Sequence, residues 1–161
     1  MKTLILIRHA KSSWEHDVSD RQRPLKKRGI NDAKLVSNAF INKECVPDFV
    51  FSSPANRALS TCKIFIKNLK IDNEKLKIIE DLYDFGGESV IHFMKNISEN
   101  YKNVMIFGHN HALTSICNIF GDKLIDNLPT SGLVVIDFDV NSWSDINTGN
   151  TRLMIFPRDL K

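Results

Sequence analysis

The first residues whose types and position suggest chemistry are Arg8 and His9. They follow the run 1–7, in which four consecutive Leu and Ile residues are typical of a strand buried on both faces. Ligands bind at the carboxyl ends of strands in open α/β sheets. A guanidinium beside an imidazole at such a point indicates an anion site that also holds a nucleophile or a base. Taken alone, the pair would more simply be an ion-pair arginine beside a surface histidine.

Two further predicted strands end in residues of the same kinds. The short apolar run 49–51 is followed by the Ser-Ser-Pro segment 52–54, and Arg57 then falls on the first turn of the next predicted helix. Serine before an early proline is typical of a helix start, so we expect a serine N-cap there. The apolar run 104–107 is followed, after one glycine, by His109.

These strand ends are predicted to form one pocket. The carboxyl ends of parallel strands lie at one edge of a sheet, so Arg8, His9, Arg57 and His109 are expected to meet there. The helices that follow the strands would add free backbone N–H groups and the positive ends of their dipoles. Forked guanidinium donors and an imidazole within reach of phosphorus suit a phosphoryl group.

The elements that must position these residues alternate along the chain. Apolar periodicity predicts strands over about 1–7, 49–51, 76–79, 104–107, 133–138 and 152–156, and helices over about 26–42, 55–69, 87–98 and 113–120. Alternation of this kind favours an α/β fold with three layers, α/β/α, and a mostly parallel central sheet. The last two predicted strands, joined by a polar turn, can add an antiparallel edge.

Composition indicates a soluble globular chain, and we expect one domain over residues 1–161. The net charge of +3 permits anionic substrates but does not indicate a nucleic-acid partner. No segment approaches the about 20 apolar residues needed to cross a membrane. The apolar N-terminal run is too short for a secretion signal and lacks a small-residue cleavage site, so we expect a cytoplasmic protein without a membrane partner.

The three cysteines are Cys45, Cys62 and Cys117. Their number is odd, and no pair has the spacing of metal ligands. We therefore interpret them as reduced thiols in a reducing compartment. A catalytic cysteine is the alternative, but none lies in a glycine-rich or basic setting that would lower its pKa.

Five segments in order carry a family resemblance. They are Arg8-His9-Ala10-Lys11-Ser12-Ser13-Trp14, the segment 19–29 with Ser19-Asp20 and Arg23-Pro24-Leu25, the segment 47–58, Gly108-His109-Asn110, and Asn127-Leu128-Pro129-Thr130-Ser131. Together they resemble the histidine phosphatase (phosphoglycerate mutase-like) superfamily and, within it, the small SixA-type phosphohistidine phosphatase branch. The chain departs from the superfamily's Arg-His-Gly motif by having Ala10 in place of glycine.

The resemblance implies a phosphoglycerate mutase-like fold and a role for each core residue. His9 would attack phosphorus as a neutral imidazole and form a phosphohistidine intermediate, which water then hydrolyses. Arg8, Arg57 and His109 would bind the phosphoryl oxygens and stabilise the transition state. No metal or cofactor would be needed, because the cations of the protein offset the phosphoryl charge.

The proton donor has several candidates in the segment 80–86. Asp84 is similar in placement to the acid of many relatives, whereas Glu80 and Asp81 lie nearer the predicted strand end. A solvated acidic loop is an equally good interpretation, and a phosphoramidate nitrogen can take its proton from solvent. Ser12, which follows the nucleophile, is a further candidate for binding phosphate, with an ordinary loop role as the alternative.

Two further features of the sequence have both a functional and a structural interpretation. His111 stands where the branch commonly has proline; it would touch substrate or, more simply, cap a helix or face solvent. Five cations lie within eight residues, namely Arg21, Arg23, Lys26, Lys27 and Arg28. Aromatic residues do not interleave them as in single-strand binders, so a solvated basic face that attracts anionic substrate is the better interpretation.

The segment between Arg57 and His109 leaves little length for an inserted lid. An open, shallow site would suit phosphate on a protein, including phosphohistidine, so the predicted partner is a phosphorylated protein. The first alternative is a small-molecule phosphomonoesterase that acts on phosphorylated metabolites such as sugar or nucleotide phosphates. The second is a catalytically weak module that binds phosphoproteins.

Overall fold

Within residues 1–43 and 45–161, which the computed structural model describes, six strands form one sheet. The strands are β1 (Lys2–Arg8), β2 (Phe49–Ser52), β3 (Leu76–Ile78), β4 (Asn103–Gly108), β5 (Leu133–Phe138) and β6 (Asn150–Ile155). Their order across the sheet is β3-β2-β4-β1-β5-β6. The first four in this order are parallel to one another, as alternating strands and helices predict.

Strand β5 is the antiparallel member of the sheet. It pairs antiparallel with β1 on one side and with β6 on the other. The predicted antiparallel strand therefore exists, but it lies one position inside the edge, and β6 at the edge again runs in the direction of β1. Strands joined directly by a loop pair antiparallel, which explains the reversal between β5 and β6.

Four α-helices cover the two faces of the sheet within the described part of the chain. They are α1 (Lys27–Phe40), α2 (Asn56–Leu69), α3 (Glu88–Lys95) and α4 (Ala112–Phe120). The predicted α/β fold class is confirmed. Among the residues that the structure describes, no helix has the length and apolar character needed to span a bilayer.

Strand β1 shows how the core divides into two layers. Leu4 and Leu6 pack in the cluster that includes α3 and α4, whereas Ile5 and Ile7 pack in the cluster that includes α1 and α2. All four side chains are fully buried, which explains why the run is apolar throughout rather than alternating. Burial of each such side chain contributes about 1.5–3 kcal/mol.

The predicted serine N-cap of α2 is wrong. Ala55 occupies the N-cap position, with no side-chain cap. The Ser53 hydroxyl instead accepts a hydrogen bond from the Ala55 N–H and pairs with His109. The tertiary contact of this buried serine therefore replaces the local cap.

A close approach between α1 and the segment after His9 holds that segment in place. The Lys26 N–H donates to the carbonyl of Lys11, and Ser12 forms an isolated bridge with Leu25. A Cβ atom at Gly29 would lie 2.2 Å from the Lys11 carbonyl oxygen. Only glycine permits this packing, so Gly29 helps to position the segment after His9.

The cysteines are free thiols inside or near the core. Burial raises the pKa of Cys62 well above its usual range and raises that of Cys117 to about 12. Burial also raises the pKa of the half-buried Cys45. Protonated thiols are poor nucleophiles, so the structure disfavours the alternative of a catalytic cysteine.

Candidate active site

The two histidines are neighbours because their strands are neighbours. In the parallel pair of β1 and β4, Arg8 is in register with Gly108, so His9 and His109 both follow directly. The His9 N–H donates to the Gly108 carbonyl at 3.1 Å, and the two imidazole centroids are 5.3 Å apart. The structure thus brings together the two histidines that the sequence places one hundred residues apart.

The ring of His9 is held in one tautomer. Its Nδ1 lies 2.8 Å from the carbonyl oxygen of Ala10, and a carbonyl can only accept, so Nδ1 carries the proton and Nε2 has a free lone pair. Burial lowers the pKa of His9 to about 4, opposed by the Ala10 bond and reinforced by the positive charges of Arg57 and Arg8. His9 is therefore a neutral imidazole with an unprotonated nitrogen at neutral pH.

His109 is also neutral, and its partner is Ser53. Burial lowers the pKa of His109 to about 3, and the positive charge of Arg57 acts in the same direction. Its Nε2 lies 2.8 Å from the Ser53 hydroxyl oxygen, which accepts from the Ala55 N–H and, among the described residues, has only His109 as an acceptor for its own proton. In that arrangement Nδ1 of His109 bears the ring proton and is a donor.

Two arginines complete the predicted group, of which Arg57 is buried and Arg8 is partly buried. Arg8 donates from Nη1 to the Leu128 carbonyl at 2.8 Å. Arg57 donates from Nη1 to the Asp20 carbonyl at 2.6 Å and from Nη2 to the Asp20 carboxylate at 3.0 Å. Burial lowers the pKa of Arg8, but a guanidinium remains protonated in proteins.

Three donors of this group have no partner. Within residues 1–43 and 45–161, the buried side-chain atoms without a hydrogen bond include Nε of Arg8, Nε of Arg57 and Nδ1 of His109. Each unpaired buried donor costs about 1–3 kcal/mol. Three such donors beside one nucleophile are what a site for an anion with several oxygens requires.

Arg8, His9 and Arg57 line a pocket of about 310 Å³. The lining residues are Arg8, His9, Lys11, Ser12, Trp14, Asp20, Arg23, Arg57, Phe85 and Thr130. His109 lies behind this lining, with the ring centroids of Tyr83 and Phe85 at 5.3 and 5.2 Å from its own. Two exposed aromatic residues, Trp14 and Phe85, flank the opening.

Arg23 is a site residue that the sequence interpretation assigned wrongly to a solvated basic face. It is 7% exposed, donates from Nη2 to the Ser12 hydroxyl at 2.6 Å, and lies over the Trp14 ring at 3.2 Å. Arg21, Lys26, Lys27 and Arg28 are exposed, as expected of such a face. Within a run of cations, residue type does not distinguish the one that turns inward.

Ser12 lies where the sequence analysis expects it. It is buried, lines the pocket, and its hydroxyl accepts from Arg23. The hydroxyl proton is still free to donate.

Asp20 is a second pocket residue that the sequence analysis did not single out. Its carboxylate accepts from Arg57, from Arg23 at 3.3 Å and from the Tyr83 hydroxyl at 2.5 Å. Partial burial raises its pKa, but the hydrogen bonds from Tyr83 and Arg57 outweigh that effect and lower the pKa to about 2. The only hint in the sequence was the place of Ser19-Asp20 within the family-like segment.

The candidate proton donor Asp84 does not lie in the pocket lining. Its carboxylate accepts the backbone N–H groups of Gly86, Gly87, Ser89 and Val90 at 3.0–3.2 Å. These contacts are those of a residue that caps α3, where Gly87 has a positive φ of 111°. They do not support a proton-donor role for Asp84.

The other acidic candidates also lie outside the pocket lining. Glu80 pairs with Arg21 through two hydrogen bonds of 2.6 and 2.9 Å, and Asp81 is exposed. Both fit the alternative of a solvated acidic loop.

Three histidines lie outside the site. His111 occupies the N-cap position of α4, makes no side-chain cap and is exposed. His16 and His92 are exposed as well. In the described part of the chain, no group of three His, Cys, Asp or Glu side chains is placed to hold a metal ion.

Comparison with known proteins identifies relatives of the chain. The model of the histidine phosphatase superfamily (branch 1) matches residues 4–87. A Mycobacterium tuberculosis protein of unassigned function is 26% identical over 160 residues, covering 93% of this chain and 98% of that protein. The lipopolysaccharide core heptose(II)-phosphate phosphatase of Escherichia coli is 29% identical over 140 residues, covering 82% of this chain and 64% of the relative.

Solved structures share the fold. A candidate phosphohistidine phosphatase SixA from Agrobacterium tumefaciens superposes with a TM-score of 0.76 at 25% identity, over 85% of this chain and 92% of that one. The protein histidine phosphatase SixA complexed with tungstate superposes with a TM-score of 0.83 at 19% identity, over 99% of both chains. Since the family model matches more than half of the sequence, this chain belongs to branch 1 of the histidine phosphatase superfamily.

Proposed function

We propose that this chain is a phosphatase that works through a phosphohistidine intermediate on His9 and acts on phosphohistidine or another protein-borne phosphate. One observation carries the proposal. The free Nε2 of His9 shares a site with three buried donors that have no partner. The site draws on segments from Arg8 to Thr130, and we propose that residues 1–161 act as one histidine phosphatase domain.

In the first step, Nε2 of His9 attacks phosphorus and the bond from phosphorus to the leaving group breaks. The phosphorylated ring keeps the proton on Nδ1 and is therefore cationic. The Ala10 carbonyl, 2.8 Å from Nδ1, stabilises that charge. The low pKa of His9, about 4, keeps the ring neutral and nucleophilic before the attack.

The transition state carries its negative charge on three equatorial oxygens. Nε of Arg8, Nε of Arg57 and Nδ1 of His109 would each donate to one of them. The side chains that carry these donors are held by contacts to Leu128, Asp20 and Ser53. Arg23 adds a third guanidinium to the lining, and we propose that these cations allow the reaction to proceed without a metal ion or cofactor.

In the second step, water attacks the phosphorus atom, the bond to Nε2 breaks, and His9 leaves as a neutral imidazole. The nucleophile of the first step is thus the leaving group of the second. Because Nδ1 retains its proton throughout, the protein has no need to protonate His9 on departure.

The openness of the site supports a protein-borne phosphate as the substrate. His9 is 9% exposed at the inner end of the pocket, whereas Trp14 at the opening is 75% exposed. A phosphorylated side chain on another protein would enter such a pocket without a lid having to close. The likeness to solved SixA structures supports the same class of substrate.

The second candidate function is a phosphomonoesterase for small molecules. The relative named as a heptose(II)-phosphate phosphatase, 29% identical over 140 residues, favours it. The two candidates share the same residues and differ in the group that leaves.

A substrate panel tests the proposal. The purified chain is compared on a phosphohistidine-bearing protein, a sugar phosphate, a nucleotide monophosphate and p-nitrophenyl phosphate. We expect the highest kcat/KM on the phosphohistidine protein, and loss of all activities in His9→Gln but not in the control His92→Gln, whose histidine is exposed. A higher kcat/KM on the sugar phosphate favours the second candidate, and binding without turnover of any substrate favours a phosphoprotein-binding module.

A further inference from the structure

Asp20 occupies the outer end of the pocket. Its side chain is 44% exposed, whereas His9 in the same pocket is 9% exposed. One carboxylate oxygen, Oδ2, accepts from both Arg57 and Tyr83. The other, Oδ1, has a single long contact of 3.3 Å to Arg23. Oδ1 therefore retains acceptor capacity on the side of the carboxylate that Arg57 and Tyr83 do not occupy.

The leaving group must lie toward this end of the pocket. Attack in line with the breaking bond places the nucleophile and the leaving group on opposite sides of phosphorus. His9 is the inner of the two, so the leaving group points outward, where Asp20 lines the pocket. We therefore place the departing group beside the Asp20 carboxylate, and the phosphoryl oxygens beside Nε of Arg8 and Nε of Arg57, which have no partner.

We propose that Asp20 is a specificity-determining residue that accepts a hydrogen bond from a protonated nitrogen heterocycle on the leaving side, so that the site prefers phosphohistidine to phosphate esters. This inference rests on the function proposed above and names the substrate class of the same site. It assigns to Asp20 a contact with the substrate in addition to its contacts with the arginines.

The proposed transfer balances without a proton from the protein. The substrate ring enters as a phosphoimidazolium, with its distal nitrogen protonated and donating to Oδ1 of Asp20. The bond between phosphorus and Nε2 of His9 forms, the bond between phosphorus and the substrate nitrogen breaks, and its electron pair stays on that nitrogen. The substrate histidine then leaves as a neutral imidazole that still carries the proton on its distal nitrogen.

A phosphate ester, unlike phosphohistidine, requires the protein to supply a proton to the leaving group. An alkoxide leaving group needs a proton, and the pocket lining holds no carboxylate besides Asp20. With a pKa of about 2, Asp20 is an ionised acceptor at neutral pH and has no proton to give. Its negative charge opposes a departing alkoxide and attracts the phosphoimidazolium ring of a phosphohistidine substrate.

A purely positioning role for Asp20 predicts a different pattern. If Asp20 only held Arg57 and Arg23 in place, its loss would weaken phosphoryl binding in the same proportion for every substrate. The ratio of kcat/KM values for two leaving groups therefore separates the two roles.

The test compares a phosphohistidine peptide with p-nitrophenyl phosphate, whose weakly basic leaving group needs no proton. For Asp20→Asn we expect kcat/KM on the phosphohistidine peptide to fall by about 10- to 100-fold more than kcat/KM on p-nitrophenyl phosphate, as for loss of a charge-assisted hydrogen bond. Asp20→Glu, which restores a carboxylate, should recover part of the ratio. Asp17→Asn, an exposed residue of the same loop, controls for the change of net charge.

Each outcome of this kinetic comparison supports one conclusion. Equal losses on the two substrates, or a faster reaction of Asp20→Asn with the phosphohistidine peptide, overturn the inference and leave the phosphatase proposal standing. Wild-type turnover of p-nitrophenyl phosphate without turnover of the phosphohistidine peptide also overturns it. Absence of turnover of either substrate by the wild-type chain overturns the proposed function itself. Residual activity of Asp20→Asn on p-nitrophenyl phosphate shows that the variant is folded.

Discussion

The hydroxyl oxygen of Ser53 lies 2.8 Å from Nε2 of His109, and both side chains are buried. The same hydroxyl accepts from the Ala55 backbone, so its proton is available to His109. The pair therefore places the ring proton of His109 on Nδ1, the nitrogen that has no partner. Ser53 directly follows β2 and His109 directly follows β4, so their contact is a consequence of the parallel pairing of those strands.

Ser53→Ala should lower kcat by about 10-fold or more while the fold is retained. Without the hydroxyl, nothing fixes the proton on Nδ1, and one donor to the transition state is weakened. Steady-state kinetics on p-nitrophenyl phosphate measures the effect. Ser52→Ala, in which an adjacent buried hydroxyl is removed, serves as the matched control. An unchanged kcat in Ser53→Ala would contradict the assigned tautomer.

The pH profile of kcat/KM should show no loss of activity near the usual histidine pKa. His9 is the nucleophile only when neutral, and burial lowers its pKa to about 4, so activity should persist below pH 6.5 and fall toward pH 4. The profile is measured on p-nitrophenyl phosphate, with the fold monitored at each pH. An acid limb centred near pH 6.5 would contradict the buried, neutral state of His9.

Stability should decrease over the same acidic range. The unfolded chain protonates both site histidines near pH 6.5, whereas the folded chain resists protonation until about pH 4 at His9 and about pH 3 at His109. The unfolded state therefore binds more protons, and the free energy of unfolding falls as pH drops below 6.5. Denaturant titrations should show a loss of up to about 3 kcal/mol for His9 and about 5 kcal/mol for His109, and His109→Gln should flatten the dependence. An identical pH dependence of the free energy of unfolding in wild type and His109→Gln would contradict the lowered pKa of His109.

Gly29→Ala should destabilise the chain although alanine is the better helix former. The added Cβ would lie 2.2 Å from the Lys11 carbonyl oxygen, so α1 or the segment after His9 must move. We expect a loss of about 1–3 kcal/mol and a lower kcat, because Lys11 and Ser12 line the pocket. Gly86→Ala is the control, since the nearest atom to its Cβ would be 3.8 Å away. Equal midpoints of thermal unfolding for the two variants would contradict the packing argument.

Asp84→Ala should affect stability far more than chemistry. The carboxylate accepts four backbone N–H groups around the start of α3, and loss of such a cap costs about 0.5–2 kcal/mol. Thermal unfolding measures the loss, and kinetics on a sugar phosphate tests for a proton donor. Disappearance of the basic limb of the pH profile in this variant would restore Asp84 as the acid.

Much of the fold and the core of the site follow from sequence patterns. The strand ends at Arg8 and Gly108 could be placed because apolar runs stop there, and the parallel sheet then brings His9 beside His109. Asp20 and Arg23 could not be identified in this way. They lie on an irregular segment whose path depends on tertiary contacts with Arg57, Tyr83 and Ser12 rather than on periodicity.

Asp84, in contrast, was a candidate proton donor in the sequence, but its contacts do not support that role. Its placement, similar to that of the acid of many relatives, suggested a proton donor, but the backbone N–H groups at the start of α3 need an acceptor and Asp84 provides it. The antiparallel strand was similarly placed at the edge, because pairing of β5 with β1 is a long-range contact that a local pattern does not encode.

Trapping of the phosphoenzyme tests the central claim most directly. The chain is mixed with a radiolabelled phosphohistidine protein, quenched within the first turnover in alkali, which preserves phosphohistidine, and digested for mass analysis. We predict label on His9 alone, stable to base and labile to acid, and no labelled peptide from His9→Gln. Rapid turnover by the wild-type chain with label on another residue, or undiminished turnover by His9→Gln, would contradict the account.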